Sequence, residues 1–168
     1  MNELTFGSPN NLNLFMNTHF AYADFTKLKS PEQLLHDKRG SCHDQTIYAY
    51  EMLKKMRIHP YAIFLMEYDD NNQGGITHSF VYYKDSMPIR KNYHYLESAW
   101  GGHGGIWSFE SVRSMLKYFE IAHERHEFGN NRKYPHLAFF EMNPEDHKKG
   151  ETLEEFVEIA TNALEIMI

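Results

Sequence analysis

Two periods alternate along this chain. From position 42, Cys42, Thr46, Ala49, Tyr50, Leu53 and Met56 recur at helical spacing, so one face of an amphipathic helix turns inward. His59-Pro60 breaks that helix. The period then shortens: Tyr61–Tyr68, Thr77–Lys84 and Tyr93–Trp100 are aromatic, β-rich runs that read as strands. The polar stretch Asp69-Asp70-Asn71-Asn72-Gln73-Gly74-Gly75 joins the first two, and Asp85-Ser86-Met87-Pro88 opens the turn to the third. An antiparallel meander with helices segregated to one side, an α+β fold, is the simplest arrangement.

Local signals place the remaining elements. Ser30-Pro31-Glu32-Gln33 combines a cap, a first-turn proline and a capping-box glutamine, predicting a short helix to about Lys38 that Gly40 ends. Ser108 reads as the cap of a helix whose apolar face is Val112, Met115, Leu116 and Phe119, closed by His123-Glu124-Arg125-His126. Leu137–Met142 reads as a fourth strand. Thr152–Glu155 is a second capping box, opening a helix through Phe156, Ile159, Ala160 and Leu164. The asparagine-rich residues 1–17, with Leu12, Leu14 and Phe15 as anchors, read as an extended lead-in or short strand. Gly101-Gly102-His103-Gly104-Gly105 reads as a loop.

Composition narrows the class of protein. At 168 residues one domain spanning 1–168 is expected, large enough for a core of its own. The net charge of −6, with acids and bases interspersed, argues against a nucleic-acid partner. No apolar run approaches the ~18 residues of a membrane span, so no membrane partner is expected. A single cysteine leaves no partner for an intramolecular disulfide. With no apolar leader at the start, this sets the expectation of a reducing, cytoplasmic setting.

That cysteine carries the candidate chemistry. Gly40-Ser41-Cys42 puts the thiol at the first turn of a helix, where unpaired N–H groups and the helix dipole favour the thiolate. A lone cysteine is more often a small buried hydrophobe. Here, however, a histidine follows inside the second strand (His78, on the face of Phe80 and Tyr82) and a carboxylate near the end of the third (Glu97). Cross-strand side chains lie ~5 Å apart, within reach for a carboxylate to orient an imidazole. A nucleophile, a base and an orienting acid are what acyl transfer requires.

Gly40-Ser41-Cys42, Thr77-His78-Ser79-Phe80-Val81 and Leu96-Glu97-Ser98-Ala99-Trp100 together resemble the transglutaminase-like superfamily of papain-like cysteine enzymes, over roughly residues 38–100. The resemblance implies an α+β fold with the cysteine helix packed on a small antiparallel sheet. It also implies a cysteine-dependent acyl transfer, amide hydrolysis or transamidation, through a thioester on Cys42. His78 would move the proton and Glu97 would hold the imidazole. The family's usual acid is an Asp followed by Pro, whereas this chain has Glu97 followed by Ser98. The oxyanion would be met by the Cys42 N–H and a side-chain donor, with Gln33 and His36 as candidates. Trp100 and the loop Gly101, Gly102 and His103 would flank the substrate cleft. A peptide or protein amide is the implied substrate, and no cofactor is expected. Hydrolysis or transfer, and the oligomeric state, stay open.

Two other readings stay open beside this one. Exposed tyrosines (Tyr48, Tyr82, Tyr83, Tyr93) on a fold that had lost its chemistry would make an interaction module. His123 and His126, with His94, His103 and His136, would make a metal site, although their spacing is not that of a His-Glu-x-x-His helix.

Overall fold

A computed structural model of the protein describes residues 4–86, 90–129 and 132–167. Met87 and Pro88 of the expected turn lie outside the described residues. In chain order the elements are α1 (Pro9–His19), β1 (Ala21–Tyr22), α2 (Pro31–Asp37), β2 (Arg39–Gly40), α3 (Cys42–Lys55), β3 (Pro60–Tyr68), β4 (Gly74–Lys84) and β5 (Tyr93–Glu97). They continue with β6 (Gly105–Phe109), α4 (Val112–Glu124), β7 (His136–Met142), a 3-10 turn at Pro144–Asp146, α5 (Leu153–Thr161) and β8 (Leu164–Glu165). Six strands form one antiparallel sheet in the order β6-β5-β4-β3-β7-β8, and β1 pairs with β2 in parallel. The fold is α+β, with the cysteine helix packed on the sheet.

The strand period divides the core in two. Ala62, Phe64, Val81, Leu96 and Phe140 face one side, with Leu12 and Met16 of α1, Tyr48 and Leu53 of α3 and Phe156 of α5. Ile63, Leu65, Phe80, Tyr95 and Phe139 face the other, against Met115, Leu116 and Phe119 of α4. Burying each such side chain is worth about 1.5–3 kcal/mol, so a one-residue slip that swapped faces would forfeit many of them at once. The register is therefore fixed. Helices accordingly cover both faces of the sheet, which corrects the expectation that they are segregated to one.

Other differences are local. The lead-in is a helix: Ser8 caps α1, Pro9 takes the first turn, and Leu12 and Met16 bury one face. Its asparagines are weak helix formers, and they hid a pattern that tertiary packing enforces. α2 ends at Lys38 in the left-handed region (φ 58°) rather than at Gly40. α4 is capped by Ser111, because Ser108 belongs to β6. α5 stops at Thr161, and Leu164 pairs with Glu141 in β8.

Candidate active site

Cys42 occupies the first position of α3, and its neighbours are built to hold it there. Ser41 caps the helix by accepting from the Asp44 N–H, while the Asp44 carboxylate accepts from the Ser41 N–H (2.8 Å) and hydroxyl (2.9 Å). The Lys29 N–H donates to the other Asp44 oxygen at 2.8 Å, tying the chain before α2 to the same turn. A Cβ on Gly40 would sit 2.6 Å from Leu34 Cδ1 and 2.9 Å from Asp44 Cβ, so only glycine lets α2 and α3 approach this closely.

The sheet supplies the second component. Pairing between β5 and β4 ends at Leu96–Val81, which leaves the Thr77–Phe80 edge of β4 without a β5 neighbour. The N-terminus of α3 comes to this edge, and Cys42 Sγ lies 4.0 Å from the Thr77 carbonyl oxygen. His78 projects among the rings of Phe80, Phe119 and Phe128. Its Nε2 is 2.8 Å from Glu97 Oε2, and the imidazole is close enough to the Cys42 sulfur to help draw its thiol down. With Nε2 engaged by Glu97, Nδ1 is the nitrogen left for the sulfur.

Glu97 closes β5 and folds back over its own turn. Oε1 accepts the N–H groups of Ser98 (2.8 Å), Ala99 (2.6 Å) and Trp100 (2.9 Å), and Oε2 accepts the Tyr95 hydroxyl together with His78. The longer glutamate chain and the absence of a following proline are thereby explained. A proline at 98 would remove the first of the three donors.

Electrostatics make these groups one unit. Burial alone would push the Cys42 thiol up, but the imidazoles of His43 and His78 overcome it and bring the thiol down to about 5. Burial would likewise depress His78, and the Glu97 charge, with Cys42, raises it to about 10. Burial pushes the Glu97 carboxyl up, but the charge of His78, its hydrogen bond and that of Tyr95 hold it below the usual carboxylate range. Around neutral pH the arrangement is thiolate, imidazolium and carboxylate in sequence.

The turn carrying Glu97 is fastened from a distance. Asn13 of α1 donates to the carbonyls of Glu97 (3.0 Å) and Gly105 (3.3 Å), and Asn17 donates to the Glu97 carbonyl at 3.2 Å. A Cβ on Gly104 would fall 2.2 Å from Asn17 Oδ1, so this glycine allows the close approach of α1. Neither asparagine carries a sequence signal for this role, since the Glu97 and Gly105 carbonyls they reach lie 80 to 92 positions away.

Cys42, His78 and Glu97 are thus brought together, but Gln33 and His36 are not among them. Gln33 spends its side chain on the α2 capping box, and His36 is 88% exposed and paired with Asp37. Trp100 stacks on His103 at 3.8 Å, with His103 held by the Tyr118 hydroxyl, and Gly101 and Gly102 form an exposed turn beside them. Tyr22, unnoticed in the sequence, is 54% exposed. Burial, then the charges of Cys42 and Asp24, push its hydroxyl up, which keeps it protonated. A cleft over the sulfur was expected, yet Cys42 is 4% exposed beside a cavity of about 10 Å³ lined by Gln45, Thr46, Ser79 and Glu97.

Three further histidines of the metal reading have separate partners. His94 bonds Ser108 and Asp85, His123 bonds Glu67 and the Tyr134 carbonyl, and His136 bonds Asp70. Among the described residues no group of three His, Cys, Asp or Glu could hold a metal ion. No helix among them is long and apolar enough to cross a membrane.

A family model described as a transglutaminase-like domain matches residues 8–86. That stretch, just under half of the chain, is similar to a transglutaminase-like domain. The matched stretch begins with α1 and includes Cys42 and His78, and it ends before Glu97. No curated protein matches the chain significantly. The transglutaminase-like stretch therefore includes the asparagine helix that fastens the Glu97 turn.

Proposed function

We propose that the protein is a cysteine-dependent acyltransferase or amidase, with Cys42 as nucleophile, His78 as acid and base, and Glu97 as the group that orients the imidazole. The observation that carries this reading is the His78 Nε2–Glu97 Oε2 contact at 2.8 Å, on an imidazole that helps hold its neighbour Cys42 as a thiolate. The Cys42 thiolate attacks an amide carbonyl and forms an S–C bond. The imidazolium then gives its proton to the departing amine as the C–N bond breaks, leaving a thioester. Water or a second amine, losing its proton to His78, adds to the thioester and releases the thiolate.

The developing oxyanion needs donors. The Cys42 N–H at the start of α3 is one. We propose the Tyr22 hydroxyl, protonated and half-exposed, as the second, the Cys42 charge contributing to its raised titration. A reducing compartment such as the cytoplasm suits so low a thiol, because a thiolate is the form of cysteine that is oxidised.

The test is covalent trapping. Incubation with p-nitrophenyl acetate and mass analysis of the intact protein is expected to show one acetyl group on Cys42, formed slowly or not at all in His78→Ala. Labelling at lysines alone, unchanged in Cys42→Ala, would contradict the reading.

A further inference from the structure

The residue after the nucleophile is a second buried imidazole. His43 is 1% exposed, and both of its ring nitrogens meet hydroxyls: Nδ1 lies 2.9 Å from Ser79 Oγ and Nε2 3.2 Å from Thr77 Oγ1. Ser79 Oγ donates onward to Thr46 Oγ1 at 3.1 Å, so Ser79 accepts the Nδ1–H of His43. Thr77 and Ser79 are the two chain neighbours of His78. Strand alternation points them toward α3 while His78 points to the opposite face.

The chain on either side of His78 is thus pinned to the residue next to Cys42. A residue serving only to fill this space would need no such partners, since the ring is otherwise packed by Phe156, Phe25 and Phe64 at centroid distances of 4.4, 5.4 and 5.8 Å. An apolar ring would pack there without the Ser79 and Thr77 hydroxyls to satisfy it.

We propose that His43 is a positioning residue of the site, holding Cys42 in reach of His78 through Thr77 and Ser79 and adding a second imidazole to the field on the sulfur. The inference rests on the reading of Cys42 as the reactive thiol. The titratable groups near the ring are Cys42 on its own turn and His147, which stacks on Phe156 at 4.1 Å. The lowered thiol agrees with the proposal, because the His43 charge contributes to it alongside that of His78.

The experiment is the rate of iodoacetamide alkylation of Cys42 from pH 4 to 10 in the full chain. It is run on the wild type, His43→Phe, the double variant Thr77→Val with Ser79→Ala, and His78→Ala. The proposal expects the alkylation midpoint of His43→Phe to rise by about one pH unit or more, roughly a tenfold loss of thiolate well below the midpoint. The double variant should move in the same direction. A midpoint unchanged in both overturns the proposal. If His78→Ala still shifts it, the reading of Cys42 and His78 stands without His43. If the His43 variants shift it and His78→Ala does not, the proposed role of His78 fails instead. Should His43→Phe not fold, as judged by circular dichroism, the double variant decides alone. Altered packing would lower the melting temperature without moving the midpoint.

Discussion

His78 Nε2 and Glu97 Oε2 lie 2.8 Å apart, both enclosed, and the other Glu97 oxygen is tied down by three successive backbone N–H groups. The acid therefore cannot swing away from the imidazole without breaking its own turn. Glu97→Gln keeps the shape but loses the charge. It is expected to lower acyl transfer on the order of 10²–10⁴-fold, measured as the rate of acetylation by p-nitrophenyl acetate. Glu97→Asp is too short to reach both His78 and the turn, and should lose activity and stability together.

The α1 asparagines are expected to act on the site at a distance. Asn13→Ala leaves the Glu97 and Gly105 carbonyls without that donor. A cost of about 1–3 kcal/mol in urea unfolding is expected. Gly104→Ala should cost comparably, because its Cβ would meet Asn17 Oδ1 at 2.2 Å.

Tyr22→Phe separates thiol reactivity from transition-state stabilisation. It removes the assigned oxyanion donor but leaves His78 and Glu97 in place. Acetylation is expected to fall ~10²–10³-fold, while iodoacetamide, which forms no oxyanion, alkylates Cys42 at a nearly unchanged rate. Equal losses in both assays would remove Tyr22 from that role.

The pH dependence of stability follows from the opposed shifts of the pair. The Cys42 thiol falls from 9.0 to about 5 on folding, so its contribution is present above 9.0 and lost as pH falls toward 5. The His78 imidazole rises from 6.5 to about 10, so its contribution is present below 6.5 and lost as pH rises toward 10. Between 6.5 and 9.0 the folded and unfolded states bind equal numbers of protons at this pair, and the two slopes cancel. Melting temperature should therefore be flat across that interval and fall on either side. In Cys42→Ser the thiol's share is gone, so stability should decline from pH 6.5 upward.

The part of this architecture legible in the sequence is the part written in local signals. Ser30 and Thr152 announce their helices through capping boxes, Cys42 to Met56 through its period, and the strands through alternation. Cys42 stood out as the single thiol, and His78 and Glu97 as polar residues inside apolar strands. What depends on distant partners left no local trace. Asn13 looks like a weak helix former until its carbonyl partners at 97 and 105 are known. Tyr22 lies in a two-residue strand paired opposite Gly40, two residues before Cys42. His43 resembles any buried ring until Thr77 and Ser79 are seen to hold it.

The most direct test of the central claim is the pH dependence of Cys42 alkylation by iodoacetamide in the wild type and in His78→Ala. A thiolate held by an imidazolium predicts a wild-type midpoint near 5 that moves up in the variant. A midpoint at the ordinary thiol value of ~8.5, indifferent to His78, would contradict it.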